Sequence, residues 1–320
     1  MDDTVELLKA LVSIPSPTGS TSKATEYLQK WCQENGMEAL VDRGALIVNP
    51  EARGLLLLGH IDTVPGEIPI MIDDGDLRGR GSVDAKGPFC AALSALRDLP
   101  HLKGRVMLVG VPDEEGGSET AYRLRQDLPE MDCVVLEPSG WEGVTISYNG
   151  RLLVEMTVKV RAAHSGHEGA FSAEKAFEIW RTMGNDPAPR IISIAGNTEK
   201  TSMKLDIRYP PGERPEIPSG MDGVSFMVLE DVKPYRADKS SRIVRSMLRS
   251  IRSNGGKPVF KRKTGTADMN ILGELWKTAI IAYGPGDGRY DHTNEERISM
   301  DEYLKSIQVL KDAIRSFLEC

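Results

Sequence analysis

The chain carries two kinds of hydrophobic pattern. In the first kind, four short runs are apolar at every position, which is typical of strands buried on both faces. These runs are 55–58, 106–111, 133–136 and 279–283. Stretches with helical spacing of apolar residues alternate with them, at 3–14, 22–36, 87–99 and 300–318. The alternation predicts an α/β domain with a mostly parallel sheet covered by helices.

The second pattern alternates strictly between apolar and polar residues. Two alternating runs with a helical stretch between them lie at 154–160, 172–184 and 203–208. Such alternation is typical of antiparallel strands with one face in water. We therefore expect residues 151–234 to form a smaller α+β domain. It would be inserted into a discontinuous larger domain made of residues 1–150 and 235–320.

Composition excludes several classes of protein. A chain of 320 residues with 40% hydrophobic and 27% charged residues fits an ordinary globular protein. The net charge of −7 argues against a nucleic-acid partner. We expect no membrane association, because no apolar run approaches the roughly 18 residues that a membrane span needs. The acidic, amphipathic start and the four scattered cysteines favour a cytoplasmic protein with reduced thiols.

Acidic and imidazole side chains follow each of the four apolar runs. In chain order they are His60 with Asp62, Glu114 with Glu115, Glu137, and His292. Because the carboxyl ends of parallel strands meet at one edge of a sheet, we expect these side chains to converge. Asp84 belongs with them, since it precedes the helix at 87–99, whose dipole favours an anion. The pattern predicts a pair of divalent cations, with zinc favoured and cobalt or manganese as alternatives.

Each of these residues also has a plainer interpretation when it is taken alone. His60 would be an ordinary core histidine, and Asp84 would be a helix cap. The acidic turn after the second run would be an exposed loop, and His292 would be a surface residue. Their joint placement at one sheet edge is what favours a metal site.

Six motifs occur in order along the chain, and together they resemble the dinuclear-zinc amidohydrolase and peptidase family. They are GHIDTVPG, GRGSVDAKGP, PDEEGGS, LEPS, AAHSGHEG and GPGDGRYDHTNEE. The family includes succinyl-diaminopimelate desuccinylase, acetylornithine deacetylase and glutamate carboxypeptidases. The resemblance covers essentially the whole chain, including the inserted domain, which in this family is a lid and dimerisation domain.

The resemblance implies a role for each motif residue. Metal ligands would be His60 and Glu137 for one ion, Glu115 and His292 for the other, and Asp84 as the bridge. Asp62 would orient His60, and Glu114 would be the general base. The resemblance also implies a homodimer, in which His164 reaches the partner subunit's site and donates to the oxyanion. Arg208 would grip a substrate carboxylate, and the plainer alternative for both His164 and Arg208 is a solvated surface role.

The segments KTGTADMNIL and DHTNEERISMDEY are most similar to one branch of the family. That branch releases lysine or ornithine from the C-terminal glutamate of a small, acidic amino-group carrier protein. Residues 239–263 contain nine Lys or Arg and no Asp or Glu. Within them a helix stripe is formed by Arg242, Arg245, Arg249 and Arg252. The stripe is either a docking strip for an acidic carrier or a merely solvated helix face.

Other functions remain open from the sequence. The close alternative is a small-molecule deacylase acting on acetylornithine, acetyl-lysine or succinyl-diaminopimelate, followed by an aminoacylase or dipeptidase. A non-enzymatic metal-binding or nucleotide-binding module is disfavoured because the phosphate-binding and dinucleotide-binding glycine patterns are absent. The sequence does not identify the residue that binds the terminal amine of the substrate, for which Asp268 is a candidate.

Overall fold

The computed structural model describes residues 3–161, 171–184 and 188–319, which fall into two compact units. The first unit holds Met1–Ser147, Ala237–Arg262 and Ile271–Cys320, and the second holds Tyr148–Arg236 and Lys263–Asn270. The boundaries predicted for the smaller domain, 151–234, leave out the last of these segments.

The helices and strands alternate along the first unit. It begins with α1 (Asp3–Val12), α2 (Ser22–Glu34), β1 (Ala39–Asp42), β2 (Ala45–Val48), β3 (Leu55–His60), β4 (Met71–Asp73), β5 (Asp76–Arg78), α3 (Lys86–Arg97), β6 (Val106–Val111), α4 (Glu119–Asp127), β7 (Asp132–Val135) and β8 (Gly143–Tyr148). The inserted part of the chain contains β9 (Gly150–Lys159), α5 (Ser172–Thr182), β10 (Arg190–Gly196), β11 (Lys200–Tyr209), β12 (Val224–Val232) and β13 (Tyr235–Arg236). The chain then continues with α6 (Arg242–Ser253), β14 (Val259–Lys263), α7 (Asp268–Leu275), β15 (Ile280–Ala282), β16 (Arg297–Ser299) and α8 (Met300–Leu318).

The main sheet of the first unit has a parallel centre. Its strands follow the order β1-β2-β6-β3-β7-β15-β8, and β14 also pairs with β8. The central pairs β6–β3, β3–β7 and β7–β15 are parallel, whereas the flanking pairs β1–β2, β2–β6 and β15–β8 are antiparallel. These central strands are the four apolar runs of the sequence, and β3 and β6 are buried at every position. The predicted α/β fold with a mostly parallel sheet is confirmed.

The register of the central strands brings their carboxyl ends to one edge. His60, which ends β3, lies beside Val111, which ends β6. Leu58 of β3 and Ala282 of β15 both lie beside Val135, which ends β7. The four loops that follow these strands therefore start from the same side of the sheet.

Helices pack against the sheet and against one another. The C-terminal helix α8 packs on α3 and α6, and α3 also contacts α1 and β3. On α6, one face is buried by Ile243, Val244, Met247 and Ile251, while the four arginines of the predicted stripe are exposed. Within the described residues, no helix is both long and apolar enough to span a membrane.

The second unit is a four-stranded antiparallel sheet with a helix against it. The strand order is β10-β11-β9-β12, and α5 contacts β9 and β11. Along β9 buried and half-exposed residues alternate, as the sequence pattern predicts. The inward residues of β9 and β11, such as Val154 and Leu205, pair across the sheet and form a core with Ala176 and Ile179 of α5.

Candidate metal centre

His60 ends the fully buried strand β3 and is held in one ring orientation. Its side chain is 1% exposed, and Nδ1 lies 2.9 Å from the backbone oxygen of Asp62. A carbonyl oxygen can only accept, so Nδ1 carries a proton and the neutral ring keeps its lone pair on Nε2. Nε2 lies 3.1 Å from Asp84 Oδ1 and 3.8 Å from Glu137 Oε1. The strand thus directs one donor nitrogen towards two carboxylates.

Asp62 is fully buried and connects His60 to the next loop. Its Oδ2 accepts hydrogen bonds from Thr18 Oγ1 at 2.7 Å and from the backbone N–H of Glu115 at 3.1 Å. Its Oδ1 accepts from the N–H of Glu114 at 3.2 Å and lies 3.5 Å from His60 Nδ1. Burial opposes the charge, but the hydrogen bonds with His60 and Thr18 outweigh it and lower the pKa of Asp62. One carboxylate therefore positions an imidazole and two glutamates.

The glutamates after β6 lie in a braced turn. A short 3-10 turn spans Glu114–Gly116, and two residues separate it from the end of the strand. Preceding it, Asp113 Oδ2 accepts from the backbone N–H and the hydroxyl of Thr120, both at 3.0 Å, which ties the turn to α4. With Asp62 on one side and Thr120 on the other, the turn is held from both directions.

Asp84 lies between the two histidines that the sequence singled out. Its Oδ1 is 3.1 Å from His60 Nε2, and its Oδ2 is 3.0 Å from His292 Nε2. His292 Nε2 is also 2.9 Å from Glu115 Oε1. The two oxygens of a single carboxylate thus face two different imidazoles, as a bridging ligand would.

Among the described residues, potential donor atoms within 4.8 Å of one another form three sets. They are His60–Asp84–Glu137, Asp84–Glu115–His292 and His60–Glu114–Glu115. The first two sets share Asp84, and each contains one histidine and one glutamate besides. The five residues predicted as ligands and the predicted general base therefore lie at one place.

The electrostatics of the centre favour positive charge. Hydrogen bonds with Asp84 and Glu115 raise the pKa of His292 to about 10. Burial opposes a charge on His60, but hydrogen bonds with Asp62 and Asp84 outweigh it and raise its pKa as well. Burial likewise opposes the charge of Asp84, and the two imidazoles nevertheless lower its pKa. A cation at either Nε2 would take the place of the proton that these carboxylates stabilise.

The donor chemistry fits divalent transition metals. Imidazole nitrogens combined with carboxylate oxygens suit Zn²⁺, and they also suit Co²⁺ or Mn²⁺. Two donor sets that share one carboxylate match two metal ions roughly 3.5–4 Å apart. The side chains of Asp84, Glu115 and Glu137 are only 9–11% exposed, so solvent alone would screen their mutual repulsion poorly. The residues present thus fit two divalent cations.

Two of the remaining predicted residues belong to the second unit. Arg208 lies near the end of β11, where its guanidinium donates to Asp206 Oδ2 at 3.3 Å and to Thr266 Oγ1 at 3.1 Å. The latter residue comes from the Lys263–Asn270 segment, far along the chain. Asp268, the first residue of α7, is buried. His164 lies outside the described residues.

Two residues that contact the centre were not singled out by the sequence. Thr18 donates to Asp62 across 44 positions of the chain, and Glu296 accepts from the backbone of Val83 and Asp84. His292 has a φ of +61°, in the left-handed region, which marks a constrained loop. In the sequence, Glu296 is one of two adjacent glutamates in a polar loop. Its neighbours in the sequence therefore do not indicate that its side chain is buried.

A parallel sheet with paired histidines and carboxylates at its carboxyl edge is an arrangement that fits a metal-dependent hydrolase. The chain belongs to peptidase family M20/M25/M40, whose sequence model matches residues 56–316. The family to which the six motifs pointed is therefore confirmed.

Several curated proteins are similar to this chain over nearly its whole length. A Thermococcus kodakarensis protein, provisionally named LysW-lysine/LysW-ornithine hydrolase, is 40% identical over 98% of this chain and 92% of its own. The LysW-lysine hydrolase of Deinococcus radiodurans is 34% identical, covering 97% and 95% of the two chains. The LysW-lysine/LysW-ornithine hydrolase of Sulfurisphaera tokodaii is 32% identical, covering 97% and 94%.

Solved structures share the fold at low sequence identity. A Staphylococcus aureus tripeptidase matches with a TM-score of 0.84 at 17% identity, over 99% of this chain and 98% of that one. The Bacillus subtilis YXEP protein, described as a dinuclear metal binding peptidase of the M20 family, matches with a TM-score of 0.75 at 10% identity. That match covers 99% of this chain and 97% of that one. These matches establish the fold of the chain.

Proposed function

We propose that this chain hydrolyses a linear amide bond and releases lysine, ornithine or both from the C-terminal glutamate of an acidic amino-group carrier protein. The chemistry rests on the position of Asp84, whose two oxygens face His60 and His292. The substrate is supported by the names of relatives that match at least 97% of this chain.

Two divalent cations, with Zn²⁺ first and Co²⁺ or Mn²⁺ as alternatives, fit the site. One would be held by His60 and Glu137, the other by Glu115 and His292, and both by Asp84. When bound, such ions lower the pKa of water to about 7 and polarise a carbonyl oxygen. Asp62 keeps the Nδ1 proton of His60 in place, so that Nε2 stays the donor.

Glu114 is the proton carrier of the reaction. It lies in the donor set with His60 and Glu115, one proposed ligand of each ion. It takes one proton from the attacking water as the new carbon–oxygen bond forms. The same proton then passes to the leaving nitrogen as the carbon–nitrogen bond breaks, which yields the free amine and a carboxylic acid. The acid then loses the remaining proton of the former water and becomes a carboxylate. The carboxylate of Glu114 is restored at the end of the cycle.

Two residues of the second unit would bind the substrate. The planar guanidinium of Arg208 suits a bidentate contact with the carboxylate of the amino acid. His164, from the partner subunit of a homodimer formed through this lid domain, would donate to the oxyanion of the tetrahedral intermediate. Asp268 remains a candidate for the terminal amine.

Replacing Glu114 tests the proposed chemistry. Glu114→Gln keeps the shape of the side chain but cannot carry the proton, so kcat on carrier-linked lysine should fall at least about 100-fold. Metal content, measured by plasma mass spectrometry, should stay at the wild-type level. Glu119→Gln, at the exposed start of α4, is the matched control and should leave both quantities unchanged. A Glu114→Gln variant with full activity would refute the assignment.

A comparison of substrates tests the proposed specificity. We expect a higher kcat/KM for carrier-linked lysine or carrier-linked ornithine than for acetylornithine or succinyl-diaminopimelate. Preference for either small substrate would favour the alternative function, a small-molecule deacylase. Retained metal without turnover of any of the four would favour a binding module.

The arginine stripe on α6 supports a macromolecular substrate. Arg242, Arg245, Arg249 and Arg252 are exposed along one side of the helix. Because such a strip raises the encounter rate with an acidic carrier, reversing two charges should raise KM for carrier-linked lysine about 10-fold or more at low salt. Arg245→Glu combined with Arg249→Glu should spare a small acyl-lysine. An equal effect on both substrates would reject the docking strip.

A further inference from the structure

Glu296 is a buried carboxylate that contacts the backbone beside Asp84. Its side chain is 1% exposed, and its Oε1 accepts hydrogen bonds from the N–H groups of Val83 at 3.0 Å and of Asp84 at 3.1 Å. Strand β16 brings it there, because Arg297 pairs with Arg78 of β5 in a small antiparallel sheet. Glu296 therefore holds the segment from which Asp84 projects.

Arg80 links Glu296 to the loop that carries His292. Its Nη1 lies 2.9 Å from Glu296 Oε2 and also donates to the backbone oxygen of Thr293 at 3.1 Å. Its Nε donates to the backbone oxygen of Gly66 at 3.1 Å. The side chain is 11% exposed, so this pair is largely removed from water. Through one guanidinium, the residue after His292 is tied to the residues before α3.

Burying a carboxylate is costly unless it is paired and hydrogen-bonded. Burial raises the pKa of the Glu296 carboxyl, and the backbone amides of Asp84, Gly81 and Val83 act against that rise. Those amides would in turn be left without an acceptor if the carboxylate were removed. The buried carboxylate of Glu296 and the backbone amides that it binds therefore each need the other to stay hydrogen-bonded.

Glu296 is distinct from the donor residues. Among the described residues it belongs to none of the three sets whose atoms could share a metal ion. Both of its oxygens face hydrogen-bond donors of the protein. It therefore acts on the centre through the backbone of Asp84 and, by way of Arg80, through the loop of His292.

We propose that Glu296, together with Arg80, is a positioning residue that fixes Asp84 and His292 relative to each other. The inference rests on the proposed function only in taking these two residues as ligands of the same metal ion. Asp62 holds His60, Glu114 and Glu115 in the same manner. Two buried carboxylates would then position the two halves of the centre.

Cobalt binding to the full chain tests this inference. Glu296→Gln keeps the size of the side chain but presents an amide group to either Arg80 or the backbone N–H groups. Titration with Co²⁺, followed by calorimetry and by the visible absorption of the bound ion, should show affinity at one site weakened about 10- to 100-fold. The absorption spectrum should change as well, which a distant structural defect would not cause. Glu295→Gln, on the exposed neighbouring residue, is the matched control and should bind Co²⁺ as the wild type does.

Arg80→Lys provides a second variant if Glu296→Gln fails to fold. Lysine keeps the charge, but it lacks the fork that reaches Glu296, Thr293 and Gly66 together. We expect the same weakened site and altered spectrum. Wild-type affinities and spectrum in these variants would overturn the inference, even if the wild type hydrolyses carrier-linked lysine. Conversely, weakened cobalt binding in a protein that cleaves no amide would leave the inference intact and refute the proposed function.

Discussion

Asp62 and Glu296 are buried carboxylates that accept hydrogen bonds from groups of the protein itself. Each accepts two backbone hydrogen bonds from a segment that carries a donor residue. Such partners fix the direction of a metal ligand and raise its affinity. The precision of the centre therefore depends on residues that would not touch the ions.

Replacing Asp62 by Asn tests this dependence. The amide NH₂ would face the N–H groups of Glu114 or Glu115, or the hydroxyl of Thr18, and the orientation of His60 would loosen. We expect Zn²⁺ affinity, measured by competition with a chromophoric chelator, to fall about 10- to 100-fold. Asp74→Asn, in an exposed turn, should bind Zn²⁺ like the wild type. Unchanged affinity in Asp62→Asn would mean that the strand alone positions His60.

Residue patterns predicted the metal-donor residues better than they predicted the residues that hold those donors in place. His60, Asp84, Glu115, Glu137 and His292 each follow a recognisable strand or precede a helix, and the structure brings them together. Their role as ligands stays a prediction. Thr18 and Glu296 could not be found in this way, because their contacts join segments 44 and 212–213 positions apart.

Strand β3 shows how an element determines the position of the site. Gly59, the residue before His60, packs where a Cβ would lie 2.8 Å from Leu136 Cβ and 3.3 Å from Phe89 Cδ2. Helix α3 and the end of β7 can therefore approach the strand closely at this point. The close packing fixes the position of His60 at the end of the strand.

A single methyl group at Gly59 should disturb this packing. We expect Gly59→Ala to lower the free energy of unfolding by about 1–3 kcal/mol, because overpacking a dense core forces its neighbours apart. Urea unfolding measures the change. Gly104→Ala is the matched control, since a Cβ there meets nothing within 4 Å. A Gly59→Ala protein as stable as the wild type would contradict the close packing.

The contact between α3 and α8 predicts a pH dependence. Asp98, at the end of α3, lies 2.8 Å from Lys311 Nζ of α8. Burial opposes its charge, but the hydrogen bonds with Lys311 and Arg97 outweigh it and lower its pKa. Since the folded-state pKa is lowered, the stabilisation is present above the unfolded-state value of about 3.9 and is lost as the pH falls.

Asp98→Asn tests the predicted direction of this pH dependence. At neutral pH it should lower the free energy of unfolding by about 0.5–1 kcal/mol, a modest amount because the pair is partly exposed. The difference from the wild type should shrink in acid. Asp127→Asn, at the exposed end of α4, is the control for urea unfolding at each pH. A difference that grows in acid would contradict the assignment.

Elements with a regular pattern were predictable, and elements without one were not. The four apolar runs form the parallel centre of the sheet, and the alternating runs lie in β9 and β11. Strand β14 has no apolar pattern, because it is exposed at nearly every position. The basic segment 239–263 therefore combines a helix, which carries the arginine stripe, with a strand that the charge pattern alone does not reveal.

At the scale of the whole molecule, the division into units depends on contacts between distant segments. Lys263–Asn270 belongs to the second unit, where Asn270 Nδ2 donates to the backbone oxygens of Asn149 and Lys233 at 3.0 and 2.8 Å. The composition of Lys263–Asn270 does not indicate that this segment belongs to the second unit. The sequence could therefore predict an inserted domain but not this additional part of it.

Metal binding should be visible in the stability of the whole chain. Ions that bind only the folded state raise the free energy of unfolding by about 2.7 kcal/mol per site at a free concentration of 100 Kd. Exhaustive chelation should therefore lower the melting temperature and abolish amide hydrolysis, and Zn²⁺ should restore both. Identical melting curves and undiminished hydrolysis after chelation would contradict metal binding to the folded chain and a metal-dependent reaction.

The most direct test of the account is anomalous X-ray diffraction from crystals of the Zn²⁺-loaded protein. We predict two peaks roughly 3.5–4 Å apart, with Asp84 in contact with both ions. His60 and Glu137 should lie about 2.0–2.2 Å from one peak, and Glu115 and His292 should lie equally close to the other. Peaks elsewhere, or none at this edge of the sheet, would contradict the central claim that these residues form a dinuclear metal centre.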